Sequence, residues 1–355
     1  MISHTNRNFV GVFFLALFFS IGIFVYALSG DRTSGNDMES LDGEYWKKRI
    51  ESNGARDAYE EMVKHAADMH TIDAHVMAHA FGRALYEAKG EDAFGVCDFR
   101  VEYGCIHEFF AMALSENGFD SLDAILEKCS EDAARTSACR HSVGHGLIGV
   151  LGYTADDLEE ALAMCKEKNF TSFSGGCYGG AFMEFNLRTL TGDSKHFFRK
   201  FAGDAFSPCN ELSDAFTSSC IFRLPEWWGY ALFSSTIEDS TFERMGLLCR
   251  ELDTPSAVHA CIAGVGKVAG QTFYTNPERI ASSCLFASKD EEENLVCRIF
   301  ALKRAAEILP NDRLIDVCEG FKGAEYVSCT AFLDTQFKDK CETLPVSVRE
   351  FCTSI

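Results

Sequence analysis

CSEDAARTSACRHSVGHG (residues 129–146) sets the reading of the whole chain. It holds Cys129, a nine-residue spacer, Cys139, and then His141 and His145 four residues apart. The two-cysteine half of this stretch recurs along the sequence and the two-histidine half does not. The first half therefore speaks of architecture and the second of chemistry.

Working outward, all 16 cysteines fall into consecutive pairs: Cys97/Cys105, Cys129/Cys139, Cys165/Cys177, Cys209/Cys220, Cys249/Cys261, Cys284/Cys297, Cys318/Cys329 and Cys341/Cys352. Seven to twelve residues separate the members of a pair, and 20 to 31 separate most neighbouring pairs. That regularity marks an internal repeat. Small or apolar residues recur three, four and seven positions before several first cysteines, as with Leu122, Ile125 and Leu126 ahead of Cys129, or Leu158, Ala161 and Leu162 ahead of Cys165. This is one stripe of a helix. Thr154 with Asp157 predicts a capped helix start, and Pro277 suits a first helical turn. Apolar residues four positions after second cysteines (Phe109, Val143, Leu224, Val265, Leu333) predict a second helix beginning there. Each unit reads as helix A, a loop carrying the cysteine pair, and helix B. The fold class expected is all-α, a solenoid of αα-hairpin repeats stapled by local disulfides.

So many cysteines point to an oxidising compartment or to metal clusters. No CxxC occurs, which disfavours structural zinc, and no CxxCH, which disfavours covalent haem. Free core cysteines remain the alternative to bridges. Each short-loop bridge contributes about 2–3 kcal/mol by loop-closure entropy.

Residues 9–28 (FVGVFFLALFFSIGIFVYAL) carry no charge over twenty positions. They read as a transmembrane anchor, or as a signal peptide removed near residues 27–29. Arg7 precedes them and Asp31, Asp37, Glu39 and Asp42 follow, which places residues 1–8 in the cytoplasm and the rest outside. The bulk of the anchored chain would be periplasmic or extracellular, and the chain would be secreted were the segment cleaved. Residues 29–43 read as a flexible linker, and residues 44–355 as the repeat domain. That domain opens with a helix over 44–70 bearing Trp46, Ile50 and Tyr59. The formal charge of -20 repels phosphate backbones, so no nucleic-acid partner is expected.

Stretches such as DDLEEALAMCKEKNFTSFSGGCYGGAF (residues 156–182) resemble the cysteine-rich Sel1-like repeats, a branch of the tetratricopeptide-type αα repeats. Those also set one cysteine at a helix end and a second at the next helix start. The layout is similar over roughly 73–352, although the spacers here are longer and the Leu-Gly and Gly-x-Gly signatures are mostly missing. The chain also looks like uncharacterised exported bacterial proteins with paired cysteines and HxxxH segments. The Sel1-like resemblance implies protein binding on a concave surface rather than catalysis.

Five histidines share a register. His107 lies two residues after Cys105, and His141 and His145 lie two and six after Cys139. In the first unit Asp73 takes the cysteine slot, and His75 and His79 fall at the same two offsets. Those offsets lie opposite the helix face that packs inside the hairpin, so the histidines are expected to line a groove between B helices. Later units carry Glu226, Lys267 and Lys303 six residues after the cysteine. Two imidazoles at i and i+4 with a third from a neighbouring helix suit zinc, copper or iron. His75, His79 and His107 form one such set, and His107, His141 and His145 another. Glu108 is a candidate carboxylate ligand or general base. Glu184 is a weaker candidate, because its position faces the hairpin interior. Glycines 144, 146, 179 and 180 permit close helix approach. The plainer reading makes these histidines hydrogen-bonding residues at helix starts.

Two other stretches stand out. Residues 224–229 (LPEWWG) offer two tryptophans as core or as a partner anchor, and residues 290–294 (DEEEN) read as a solvated loop and helix start. There is no P-loop, dinucleotide fingerprint or GxSxG motif.

The leading expectation is a membrane-anchored extracytoplasmic protein binding a transition metal through the histidine ladder, as a metal-dependent oxidoreductase or hydrolase if it is an enzyme. The alternative is a non-enzymatic scaffold that binds an exported protein or peptide on its concave face. If the pairing holds along the whole chain, alkylation before reduction should label no cysteine, and alkylation after reduction should add the mass of 16 blocked thiols. Several thiols reactive in the unreduced chain would contradict it.

Overall fold

The computed structural model describes residues 42–309 and 318–319, apart from short stretches at 68, 70, 99, 102, 120–121, 129–132, 169–174, 189, 191–197 and 234–236. The described residues form helices and no strands. They run α1 (Gly43–Asn53), α2 (Ala55–Ala66), α3 (Thr71–Lys89), a 3-10 turn (Glu91–Val96), α4 (Gly104–Asn117), α5 (Leu122–Lys128), α6 (Ala133–Leu151), α7 (Ala155–Glu167), α8 (Gly176–Leu187), α9 (Asp214–Ala231), α10 (Asp239–Cys249), α11 (Pro255–Phe273), α12 (Pro277–Ala287) and α13 (Glu291–Ile308).

Five of the expected bridges are formed: Cys97–Cys105, Cys165–Cys177, Cys209–Cys220, Cys249–Cys261 and Cys284–Cys297. Cys139 and Cys318 are also disulfide-bonded, while Cys129, Cys329, Cys341 and Cys352 lie outside the described residues. The N-terminal segment over 9–28 and the linker up to residue 41 lie outside them too. No described helix is long and apolar enough to cross a membrane.

Helices α3, α4, α6, α8, α9, α11 and α13 pack one against the next as an inner row, and the shorter helices lie outside it. Glycines at a repeated register set the inner spacing. Gly144 and Gly266 both stand five residues after a second cysteine. A Cβ on Gly144 would lie 2.0 Å from the carbonyl oxygen of Cys177, and one on Gly266 2.1 Å from that of Cys297. Gly180 and Gly264 both stand three residues after a second cysteine. Their Cβ atoms would lie 1.8 Å from the His141 carbonyl and 2.2 Å from the Phe222 carbonyl. Neighbouring inner helices thus meet backbone to backbone, closer than side chains would allow.

That spacing brings units two or three places apart into contact. Arg83 on α3 donates to the carbonyl of Leu190, just past α8, at 3.4 Å. The rings of His79 on α3 and His145 on α6 are 6.3 Å apart, and those of Phe222 on α9 and Phe300 on α13 are 5.4 Å apart. The histidine-bearing part of the inner row, expected to line a groove or channel between B helices, is shut off from solvent. His75, His79, His107 and His145 are all buried.

Local differences have local causes. The helix expected over 44–70 breaks at Gly54, whose φ of 89° suits glycine and separates α1 from α2. Not every unit has a helix A. Cys97 follows the 3-10 turn and Cys209 follows turns that include a cis peptide at Pro208. Several B helices start before their second cysteine rather than after it. Thr254 caps α11 with Pro255 in its first turn, six residues ahead of Cys261. The capping box at Thr154 and Asp157 and the start at Pro277 are formed. Residues 224–229 sit inside α9, where Trp227 and Trp228 are fully buried. Their indole N–H groups donate to the carbonyls of Arg199 at 2.6 Å and Ala205 at 2.8 Å, so both are core residues. Asp290 caps α13, accepting from the N–H groups of Glu292 and Glu293, as the helix-start reading expects.

The glycine contacts predict a sign. Gly→Ala inside a helix ordinarily gains about 1 kcal/mol of propensity. A methyl driven into a backbone carbonyl costs about 1–3 kcal/mol or more. Gly266→Ala should therefore destabilise and lower Tm by about 5 °C. Gly95→Ala, where nothing lies within 4 Å of the added carbon, should stay within about 0.5 kcal/mol of the parent. Calorimetry of the two variants checks this, and a stabilised Gly266→Ala would contradict it.

Candidate metal centre

The five patterned histidines meet in one place. They come from α3, α4 and α6, which the bridges and glycine contacts hold in register. Two ligand sets result, His75/His79/His107 and His107/His141/His145, and within each set one nitrogen per ring lies within 4.8 Å of the others.

The two HxxxH pairs are built alike. In α3 the Nε2 atoms of His75 and His79 are 3.1 Å apart. In α6 those of His141 and His145 are 3.2 Å apart. Two imidazole nitrogens each about 2.0–2.1 Å from a shared ion stand roughly 3.0–3.4 Å apart at tetrahedral to octahedral angles. Both spacings fit the edge of a coordination shell.

The outer nitrogens fix which tautomer is present. His79 Nδ1 is 3.2 Å from Glu108 Oε2, and His145 Nδ1 is 3.1 Å from Glu184 Oε2. Where these glutamates are ionised they accept, so Nδ1 carries the proton and the lone pair lies on Nε2. His75 Nδ1 faces the carbonyl of Val101 at 3.4 Å, which leaves its Nε2 as an acceptor as well. Two lone pairs then face each other between His75 and His79, an arrangement that calls for a cation between them. Burial pushes His79 down to about 4, against the pull of Glu184, so at neutral pH that cation is not a proton. A histidine oriented by a carboxylate on its far nitrogen is the usual outer support of a metal ligand.

His107 lies between the pairs. Its ring stacks on His145 with centroids 4.2 Å apart, and it stands 5.0 Å from His141, 5.3 Å from His75 and 5.4 Å from His79. Both of its ring nitrogens are buried and neither has a hydrogen-bond partner among the described residues. Burial first, and the neighbouring imidazoles next, hold His107 well below its ordinary range. Burial followed by nearby imidazoles does the same for His145, and burial followed by His145, Arg223 and Lys267 for His141. The rings stay neutral, which is the ligating form.

The two carboxylates are supported differently. Glu108 pairs through Oε1 with Arg83, and burial lifts it to about 7 against the opposing pull of that guanidinium. Glu184 accepts through Oε1 from the Tyr153 hydroxyl at 2.6 Å and from the Leu190 N–H at 2.9 Å. Burial and then Glu184 itself hold the Tyr153 phenol well above its ordinary range, so it remains a donor. Each of the two candidate carboxylates thus faces one histidine of an HxxxH pair. Glu184 faces the hairpin interior on its own helix. It reaches His145 because α6 and α8 touch at Gly144 and Gly180.

Glu226 and Lys267, six residues after their cysteines, form a buried ion pair with Nζ 2.5 Å from Oε2. Arg223 stands 3.7 Å from the same oxygen. The similarity to Sel1-like repeats rests on the cysteine layout alone: no protein-family model, curated protein or solved structure matches this chain.

Proposed function

We propose that this chain is an extracytoplasmic metalloprotein that binds a pair of zinc, copper or iron ions through His75, His79, His107, His141 and His145. The observation that carries the reading is His107. It belongs to both ligand sets, and its two buried nitrogens have no other partner among the described residues. One nitrogen would serve each ion if the ring released its remaining N–H proton to solvent, bridging the HxxxH pairs as an imidazolate. The paired-cysteine hairpins would then be a tightly coiled solenoid whose first half, around 72–150, holds the ions and whose remainder extends the stack. The bridges formed along the chain support an oxidising compartment. Residues 9–28 would tether it to a membrane.

Bound ions of this kind activate water or oxygen, and a hydrolase or oxidoreductase activity would rest on that chemistry. Glu108 is better assigned to orienting His79 than to acting as a base, because its two oxygens face His79 and Arg83.

Metal analysis of protein purified without a histidine tag tests the proposal. About two equivalents of one transition metal are expected in isolated or reconstituted protein. Less than about a tenth of an equivalent under both conditions would sink the reading. His107→Ala should lower the affinity of both ions while far-ultraviolet circular dichroism stays unchanged. Glu184→Gln should weaken binding by about 10–100-fold through the lost support of His145.

A further inference from the structure

A second path joins the two HxxxH pairs, and it does not pass through His107. It starts at His79, whose Nδ1 meets Glu108 Oε2 at 3.2 Å. The other oxygen of Glu108 pairs with Arg83. Arg83 in turn donates through Nη2 to the carbonyl of Leu190 at 3.4 Å, the longest link of the path. The N–H of that same residue donates to Glu184 Oε1 at 2.9 Å, and Glu184 Oε2 meets His145 Nδ1 at 3.1 Å. The rings of His79 and His145 are 6.3 Å apart, so the path returns to the histidine cluster where it began.

Leu190 is the middle of this path. It follows α8, which ends at Arg188 in the left-handed conformation with φ at 53°. Its N–H and its carbonyl flank one Cα, so the same two backbone angles aim both. A displacement of Leu190 loses the two bonds together. Each involves an ionised group, a guanidinium on one side and a carboxylate on the other, and bonds of that kind are the stronger ones. The Glu184 side chain is fully buried, so bulk water does not replace a lost N–H there. The Leu190 side chain is seated as well. A Cβ on Gly149, in the last turn of α6, would lie 2.8 Å from Leu190 Cδ1. Leu190 therefore rests against the helix that carries His141 and His145.

We propose that Leu190 is a positioning residue shared by both ion sites. Its N–H braces Glu184 directly, its carbonyl braces Glu108 through Arg83, and the two carboxylates orient His145 and His79. This role rests on the metal reading of the five histidines. A disturbance at Leu190 or at Arg83 is then felt in both halves of the centre, whereas two separate supports would each affect one half.

Titration of the full chain with cobalt, followed by the visible absorption of the bound ion, tests it. Leu190→Pro removes the N–H, and Arg83→Met removes the donor to the carbonyl. Each should weaken cobalt binding by about 10–100-fold, the usual effect of losing outer support, with far-ultraviolet circular dichroism unchanged. The double variant decides between shared and separate support. It should bind within about threefold of the weaker single variant, since both substitutions release the same residue. Gly149→Val drives a side chain into Leu190 at an exposed position, touches neither carboxylate and serves if Leu190→Pro does not fold. It should weaken binding and combine with Arg83→Met in the same non-additive way. Losses that multiply in the double variant, or single variants that bind cobalt as the parent does, would overturn the shared role and leave the metal reading standing. A parent protein that does not load cobalt would overturn both.

Discussion

The contact between glycine and a neighbouring backbone carbonyl carries the architecture. Successive inner helices touch at Gly144 and Cys177, at Gly180 and His141, at Gly264 and Phe222, and at Gly266 and Cys297. A side chain at any of these positions would push two helices apart. The disulfides act on a different level, since each ties together residues close in sequence. They limit the unfolded chain and fix each hairpin, while the glycines decide how closely hairpins stack. Only the second effect brings His79 towards His145 and Arg83 to Leu190.

Close stacking then sets the electrostatics. An inner row with open spacing would leave the histidines hydrated and ordinary. Here they are stripped of water and pressed together, and they stay neutral because burial outweighs every attractive charge nearby. Their order comes from Glu108 and Glu184, each reaching from the following inner helix to the far nitrogen of a histidine. Arg83 balances the first carboxylate, while a phenol and a backbone N–H hold the second. The two halves of the centre therefore share a geometry and differ in charge.

Much of this was legible in the sequence, for identifiable reasons. Covalent pairing demands near neighbours, so cysteine spacing revealed the bridges. Counting from a cysteine carries helical phase, so His75, His79, His107, His141 and His145 could be placed on one face before any coordinates. The contact of Glu184 with His145 depends on how near α8 lies to α6, which helical phase on α8 alone does not reveal. The signal for that nearness was present in the glycines at offsets three and five, whose meaning is tertiary. The break at Gly54 follows from its backbone angle, which a helix read from Trp46, Ile50 and Tyr59 does not reveal.

His107 has a consequence of its own. A ring shared by two ions makes their occupancies interdependent. The first ion to arrive would fix the ring's position, with its remaining N–H aimed at the other HxxxH pair and easier to deprotonate for a second ion. The second ion then binds a site whose ordering cost has already been met, which is positive cooperativity between neighbours. The centre would fill as a unit and empty as a unit, so half-loaded protein would be scarce. A single imidazole, placed midway along a row of helices, would make two binding events into one.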